Sequence, residues 1–387
     1  IEVDAARRLA RVEPGVTNLE ISQAAAPHGL YYAPDPSSQI ACSIGGNVAE
    51  NSGGVHCLKH GLTVHNLLEV RVATIDGEWL QLGSAAGEAP GLALLPLFTG
   101  SEGMLGVMVE ATVRLKPLPE RVELLMAAFA DVRRCADAVG RIIAAGIVPA
   151  GLEMMDAPAI RAAEAFVRCG YPTDAAALLL CELDGLDHDV THDLRAVEAL
   201  LADCGATALR VARDAGERLR MWSGRKSAFP AVGRLAPDYF CMDGTIPRRH
   251  LADVLERIGE MSQAAGLPVA NVFHAGDGNL HPLILFDAGQ PGEIERAEHL
   301  GAEILELCVA VGGTVTGEHG VGVEKLGPMC TQFGAAELEA FHAVKRAFDP
   351  EGLLNPGKAV PTLARCADYG AMRVHGGKLP FAHLPRF

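Results

Sequence analysis

The chain has 387 residues, 49% of them hydrophobic, enough for two domains or one large one around a sizeable core. Its 48 acidic side chains outnumber 33 basic ones, and the formal net charge of −15 argues against the basic face that nucleic acid or an anionic membrane requires. No apolar run reaches the length of a membrane span, so any membrane contact is expected to be peripheral and through a partner.

The sequence opens at Ile1-Glu2-Val3, in mid-strand and with neither an initiator Met nor a signal-peptide pattern, so the natural N-terminus is expected upstream. Residues 1–118 read as α/β. Residues 10–16 form a strand and turn, Asn18 is expected to cap a short helix to about Gly29, and residues 67–73 and 79–82 pair over Asp76-Gly77. Two glycine clusters stand out. One carries Gly45, Gly46, Asn47, Asn51, Gly53 and Gly54, the other Gly100, Ser101, Gly103, Gly106 and Val107. Glycines this dense let the backbone approach a flat or phosphorylated ligand, with bare N–H groups as donors. One cluster alone reads equally well as ordinary turns, but two in one small domain point to a bound cofactor.

The segment Leu115-Lys116-Pro117-Leu118-Pro119 is expected to end that domain, because proline breaks helices and strand pairing. Beyond it strands are predicted at 122–129, 152–155, 177–183, 208–212 and 239–246. Helices are predicted at 131–145, 158–168, 190–202 and 249–265. The pattern predicts an antiparallel or mixed sheet with helices on one face, a cap domain over 119–315. A strand over 268–273 then enters Gly276-Asp277-Gly278-Asn279, whose residues favour a tight reversal, and a strand over 283–286 leaves it. That hairpin brings His274 and His281 together at its mouth. Two converging neutral imidazoles are half of a divalent-metal site, while Asp277 reads as a turn residue.

A helix over 293–311 ends at Gly312-Gly313, and residues 316–387 form the last segment, with a helix at 335–348 and a turn-rich stretch at 349–358. Within Thr316-Gly317-Glu318-His319-Gly320, Glu318 is the candidate third metal ligand, since a catalytic centre wants three protein ligands and an open position. Such a pair is ordinarily surface decoration, but its glycine neighbours leave both side chains accessible. If the segment is extended, Glu318 and His319 face opposite sides, and His319 becomes a candidate general base towards substrate. The donor set suits zinc, iron or manganese alike.

Arg225, in Trp222-Ser223-Gly224-Arg225-Lys226, carries a fork suited to a carboxylate, although by itself it reads better as a solvated charge on a helix face. Ten scattered cysteines, none in Cys-x-x-Cys, give no iron–sulfur or structural-zinc pattern and fit a reducing, cytoplasmic setting.

Residues 34–38, 44–54, 100–107, 274–281, 317–320 and 354–356 together resemble the FAD-linked 2-hydroxyacid dehydrogenases, flavoproteins of the vanillyl-alcohol-oxidase type. The resemblance runs over essentially the whole chain. It implies an α+β fold: a partial FAD-binding (PCMH-type) domain at 1–118, a ferredoxin-like cap with an antiparallel sheet at 119–315, and a helical segment at 316–387 returning to the flavin. Pro34, Ser37, the residues of both glycine clusters named above and Asn355 would line the FAD. His274, His281 and Glu318 would hold the metal, His319 would be the base, and Arg225 would take the substrate carboxylate.

The family's glycine-rich pyrophosphate loop has no counterpart here. A lysine that diacid-oxidising relatives carry is replaced near Cys241, which favours a short monoacid such as glycolate or D-lactate. The resemblance further implies a second flavin-domain subunit and an iron–sulfur subunit at the inner face of the membrane, to which electrons pass. A flavin-free metal hydrolase and an inactive structural subunit are the alternatives.

Overall fold

The computed structural model describes residues 1–89 and 91–361; the tail expected to reach back towards the flavin beyond that point lies outside the described residues. Five strands make the first sheet, in the order Glu2–Asp4, Leu9–Val12, Val107–Arg114, Leu67–Ala73 and Trp79–Gly83, all antiparallel. Period-2 alternation in Leu67–Ala73 turns Val70 and Val72 into a core shared with Ile21, Ile44 and Val113. The helix Asn18–Ala25 is capped by Thr17 rather than Asn18. The Thr17 hydroxyl accepts from the Glu20 N–H, and the Glu20 carboxylate accepts from the Thr17 N–H. Asn18 is itself buried. The first glycine cluster is partly helical, over Ile44–Glu50, with Ser43 as its cap.

The second sheet has nine strands. From one edge they run Ala208–Val211, Arg121–Phe129, Ala177–Gly185, Gly151–Asp156 and Val269–His274. There the sheet forks, to Asn279–Leu280 with Gly244–Thr245 and to Pro282–Phe286 with Asp238–Cys241. Every pairing is antiparallel.

Helices cover both faces, not one as the sequence pattern suggested. Along Arg121–Phe129 the side chains alternate. Leu125, Ala127 and Phe129 join a core with the helices Val132–Ala144, Asp187–Asp203 and Leu251–Ala265. Leu124, Met126 and Ala128 join another with Ala157–Val167 and Ala215–Lys226. The continuous apolar run leaves this strand no polar face.

Two departures position the site. The strand predicted over 239–246 is broken into Asp238–Cys241 and Gly244–Thr245, which releases Asp243 from the ladder. The helix Ala215–Lys226, which lacks a clear periodic signal, sinks deep onto the second core. At Gly224 a Cβ would fall 2.5 Å from Cys169 Sγ and 2.6 Å from the Tyr171 ring, so only glycine permits that approach. Arg225 is consequently 1% exposed, which corrects its reading as a solvated charge. Among the described residues no helix is long and apolar enough to cross a membrane.

Candidate active site

The hairpin delivers its two histidines as its turn chemistry predicts. Gly278 takes φ +86°, the Asn279 N–H donates to Asp277 Oδ1 at 3.0 Å, and the rings of His274 and His281 lie 5.2 Å apart, edge to face. Glu318 closes the triad: its Oε1 lies 3.3 Å from His274 Nε2 and 3.0 Å from His281 Nε2. Its Oε2 is buried with no partner, although a buried carboxylate oxygen ordinarily has one. Three ligand atoms within 4.8 Å of one another and an orphaned oxygen fit a divalent cation. Burial alone would lower the His274 pKa and raise that of Glu318. The adjoining charges outweigh it, holding His274 well above the usual imidazole value and Glu318 well below the usual carboxylate range.

The loop bearing Glu318 and His319 is not extended, so the two side chains do not face opposite sides. His319 Nε2 lies 3.7 Å from Glu318 Oε1, and its ring stacks on His281 at 4.9 Å. Both therefore serve the same cleft. Burial keeps the His319 pKa below the usual imidazole value.

The loop owes its shape to Asp243, a fully buried residue that sequence reasoning missed. Its carboxylate accepts from the N–H groups of Gly317, Glu318 and His319, from the Thr316 hydroxyl and from Lys325 Nζ at 3.0 Å. On the opposite side Glu102, from the second glycine cluster, accepts from the N–H groups of Val321 at 2.6 Å and Gly322 at 2.8 Å.

Arg225 enters the same cleft from its helix. Nε donates to Glu153 Oε2 at 2.8 Å and Nη2 makes an ion pair with the same oxygen at 2.7 Å, while Nη1 is buried and unpartnered. The cleft, about 340 Å³, is lined by Arg225, His274, His281, Glu318, His319, Phe229 and Ser37. Cys241 Sγ stands 4.0 Å from His281 Nδ1 at its edge.

A second cleft, of about 440 Å³, is bordered by Gly45, Gly46, Ser101, Gly103, Gly106 and Val107. The two glycine clusters are pinned together there, by Gly100 N–H to Val48 O at 2.9 Å and Glu102 N–H to Ala49 O at 2.8 Å. Ser101, which lines this cleft, has its Oγ buried without a partner, as a donor awaiting a polar ligand edge would be, and the neighbouring Asn47 Nδ2 is likewise unpartnered, so this cradle fits a flavin cofactor.

The remaining expected flavin contacts divide. Asn355 donates its amide to the Glu102 carbonyl and so joins the second cluster. Asn51 is committed elsewhere, its Oδ1 accepting from the Val64 N–H. Gly53 abuts the histidine cleft, since a Cβ there would lie 2.5 Å from Glu318 Oε2, and Gly54 packs on the backbone of Asp35 beyond the buried Pro34.

A hydrogen-bonded chain joins two loop residues of the N-terminal part to the second sheet: Asp35 to His56 Nδ1 at 2.8 Å, His56 Nε2 to Glu182 at 2.8 Å, and Trp222 Nε1 to Glu182 at 2.5 Å. Burial would lower the His56 pKa, but Asp35 and Glu182 together raise it well above the usual value.

Residues 118–359 match the family described as FAD linked oxidases, C-terminal domain, and residues 1–83 match the FAD binding domain. Over 387 residues the chain is 64% identical to the glycolate oxidase subunit GlcD of Escherichia coli (strain K12), covering all of this chain and 78% of that one. It is 30% identical over 353 residues to the mitochondrial D-lactate dehydrogenase [cytochrome] of Arabidopsis thaliana, covering 90% of this chain and 62% of that one. The 4-ethylphenol oxidase of Gulosibacter chungangensis, at 15% identity, shares the fold with a TM-score of 0.75, over 94% of this chain and 79% of that one. The flavin-domain match sets aside the flavin-free hydrolase. A flavin cradle pinned to a histidine-rich cleft, and a matched family over most of the length, lead to one conclusion: the chain belongs to the FAD-linked oxidases.

Proposed function

We propose that the chain oxidises a short 2-hydroxy acid, glycolate to glyoxylate or D-lactate to pyruvate. The carrying observation is that Arg225, whose Nη1 is buried and unpartnered, lines the same cleft as the His274–His281–Glu318 triad and His319. A guanidinium fixed in this way presents a donor to the substrate carboxylate at no further ordering cost. His319 lies beside the triad and accepts the proton of the α-hydroxyl. Phe229, Pro230 and Pro36 line the cleft and keep water from the reacting carbon. FAD, when bound, supplies the acceptor for the Cα hydride, which balances the two electrons lost by the acid. A zinc, iron or manganese ion on the triad would supply a Lewis acid that lowers the pKa of the hydroxyl.

In this reading residues 1–118 hold the flavin, 119–315 form the cap and 316–387 return to the flavin site. The family resemblance implies that electrons leave through other subunits, one with a second flavin domain and one with an iron–sulfur cluster, in the cytoplasm or peripherally at the inner membrane face, and this sequence has no Cys-x-x-Cys of its own. The E. coli relative is itself named as a subunit. The absence of a lysine at Cys241 favours the monoacids.

The test is the absorbance spectrum of the holoenzyme before and after anaerobic glycolate, then D-lactate, in wild type and in His319→Ala. Bleaching by one acid in wild type, slowed in the variant at equal flavin content, is expected. A yellow protein that neither acid bleaches overturns the proposal in favour of an inactive subunit, and equal rates in the two proteins remove His319 as the base.

A further inference from the structure

Glu153 lies in the strand Gly151–Asp156, one carboxylate among Leu152, Met154 and Met155, and is 1% exposed. A carboxylate placed there for stability alone would be a poor choice, since desolvating it costs several kcal/mol, on the order of what pairing returns. An apolar side chain would fill the position at no such cost. Its two oxygens are divided between two functional groups. Oε2 takes Nε and Nη2 of Arg225, and Oε1 takes Nδ1 of His274 at 2.7 Å.

The backbone enforces this division. Glu153 and His274 are directly paired residues on adjacent strands, so their side chains leave the sheet on the same face, and the helix of Arg225 packs over that face. We propose that Glu153 is a positioning residue that joins the carboxylate-binding arginine and the first histidine of the triad into one unit, making metal uptake and acid binding mutually dependent.

Each half has a chemical consequence. Accepting from Nδ1 sets the neutral His274 tautomer, leaving the Nε2 lone pair for the triad's ion. Holding Nε and Nη2 together fixes the plane of the guanidinium and leaves the unpartnered Nη1 as the donor available to a ligand. An ion held by the triad would pull on His274 and, through it, on the same carboxylate that aims Arg225.

This inference rests on the proposed function and has its own test in Glu153→Gln. The amide matches the carboxylate in size but can accept at one end only, so one partner faces an NH₂ group. Mn²⁺ and Zn²⁺ affinity is read by equilibrium dialysis of the FAD-loaded protein without substrate. Acid affinity is read from the concentration dependence of anaerobic flavin reduction, with and without the ion. The variant is expected to lose metal affinity about 10- to 100-fold. The apparent Kd for the acid should rise more than the limiting reduction rate falls. The ion should tighten acid binding in wild type but no longer in the variant.

If the variant does not fold, Glu153→Asp keeps the charge but is one methylene too short to reach both partners, and the same readouts apply. Wild-type metal affinity in a folded variant, or acid affinity in wild type that ignores the ion, overturns the inference while leaving the functional reading intact. A wild-type protein that takes up neither ion overturns the metal part of that reading and this inference together.

Discussion

Asp243 and Lys325 form a buried ion pair whose two halves are unequally replaceable, and the difference is measurable. In Asp243→Asn the Lys325 ammonium, 7% exposed, keeps Thr316 Oγ1 at 3.2 Å but loses its counter-charge. Stranding a buried charge in this way costs about 3–5 kcal/mol. In Lys325→Met the Asp243 carboxylate keeps the Thr316 hydroxyl and the N–H groups of Gly317, Glu318 and His319. It loses one charge-assisted hydrogen bond, about 1.5–3 kcal/mol.

The double variant removes both charges and should cost less than the sum of the two. The direct assay is amide hydrogen exchange at residues 317–319 in the FAD-loaded protein. A loss of about 3 kcal/mol in local opening corresponds to roughly 150-fold faster exchange. Asp243→Asn should show that loss and slow flavin reduction by misplacing His319, whereas Lys325→Met should leave the three amides largely protected. Equal or greater deprotection in Lys325→Met would refute the view that the carboxylate, rather than the ion pair, shapes the loop.

Two further outcomes follow from the same geometry. In Gly53→Ala the new methyl would sit 2.5 Å from Glu318 Oε2 and 3.1 Å from Leu62 Cδ2, so the carboxylate must turn away. Divalent-metal uptake and flavin reduction should both fall while the FAD absorbance remains, and unchanged metal uptake would count against Glu318 as a ligand. At His56 the folded-state pKa is raised, so its stabilising contribution is full below the unfolded value of 6.5 and is lost as pH rises through the folded value. His56→Gln should lower the thermal midpoint near neutrality and flatten its decline in alkali; a decline as steep as in wild type would exclude His56 as the group responsible.

What could be read from the sequence was short-range. The hairpin that joins His274 and His281 is written in its own turn residues, and the Gly-Glu-His-Gly run opens Glu318 and His319 to the cleft through its own small neighbours. The partners that give these groups their geometry lie far away in the chain. Glu153 is 72 residues from Arg225 and 121 from His274, and no local pattern encodes such a meeting. One clue was present: a lone carboxylate inside an apolar strand is costly unless paired, and so marks a site.

Arg225 was misjudged because its burial depends on a missing Cβ at Gly224 and on the distant Cys169 and Tyr171. Asp243 was hidden by a strand pattern that reads straight through it. The Asn51 side chain also holds a distant amide, its Oδ1 accepting from the Val64 N–H thirteen residues on, which no local pattern announces.

The loop at 316–322 hangs between Asp243, in the break between the strands Asp238–Cys241 and Gly244–Thr245, and Glu102, in the second glycine cluster, the latter 219 residues from its partner Val321. During synthesis both anchors leave the ribosome long before the residues they hold. Contacts of such sequence separation form late, because the intervening chain must first be ordered. A nascent chain therefore presents the glycine-lined cradle and the two hairpin histidines before it has the loop that carries Glu318 and His319. Under the proposed mechanism, acid oxidation waits on the closing of that loop, whose anchoring contacts span long stretches of chain.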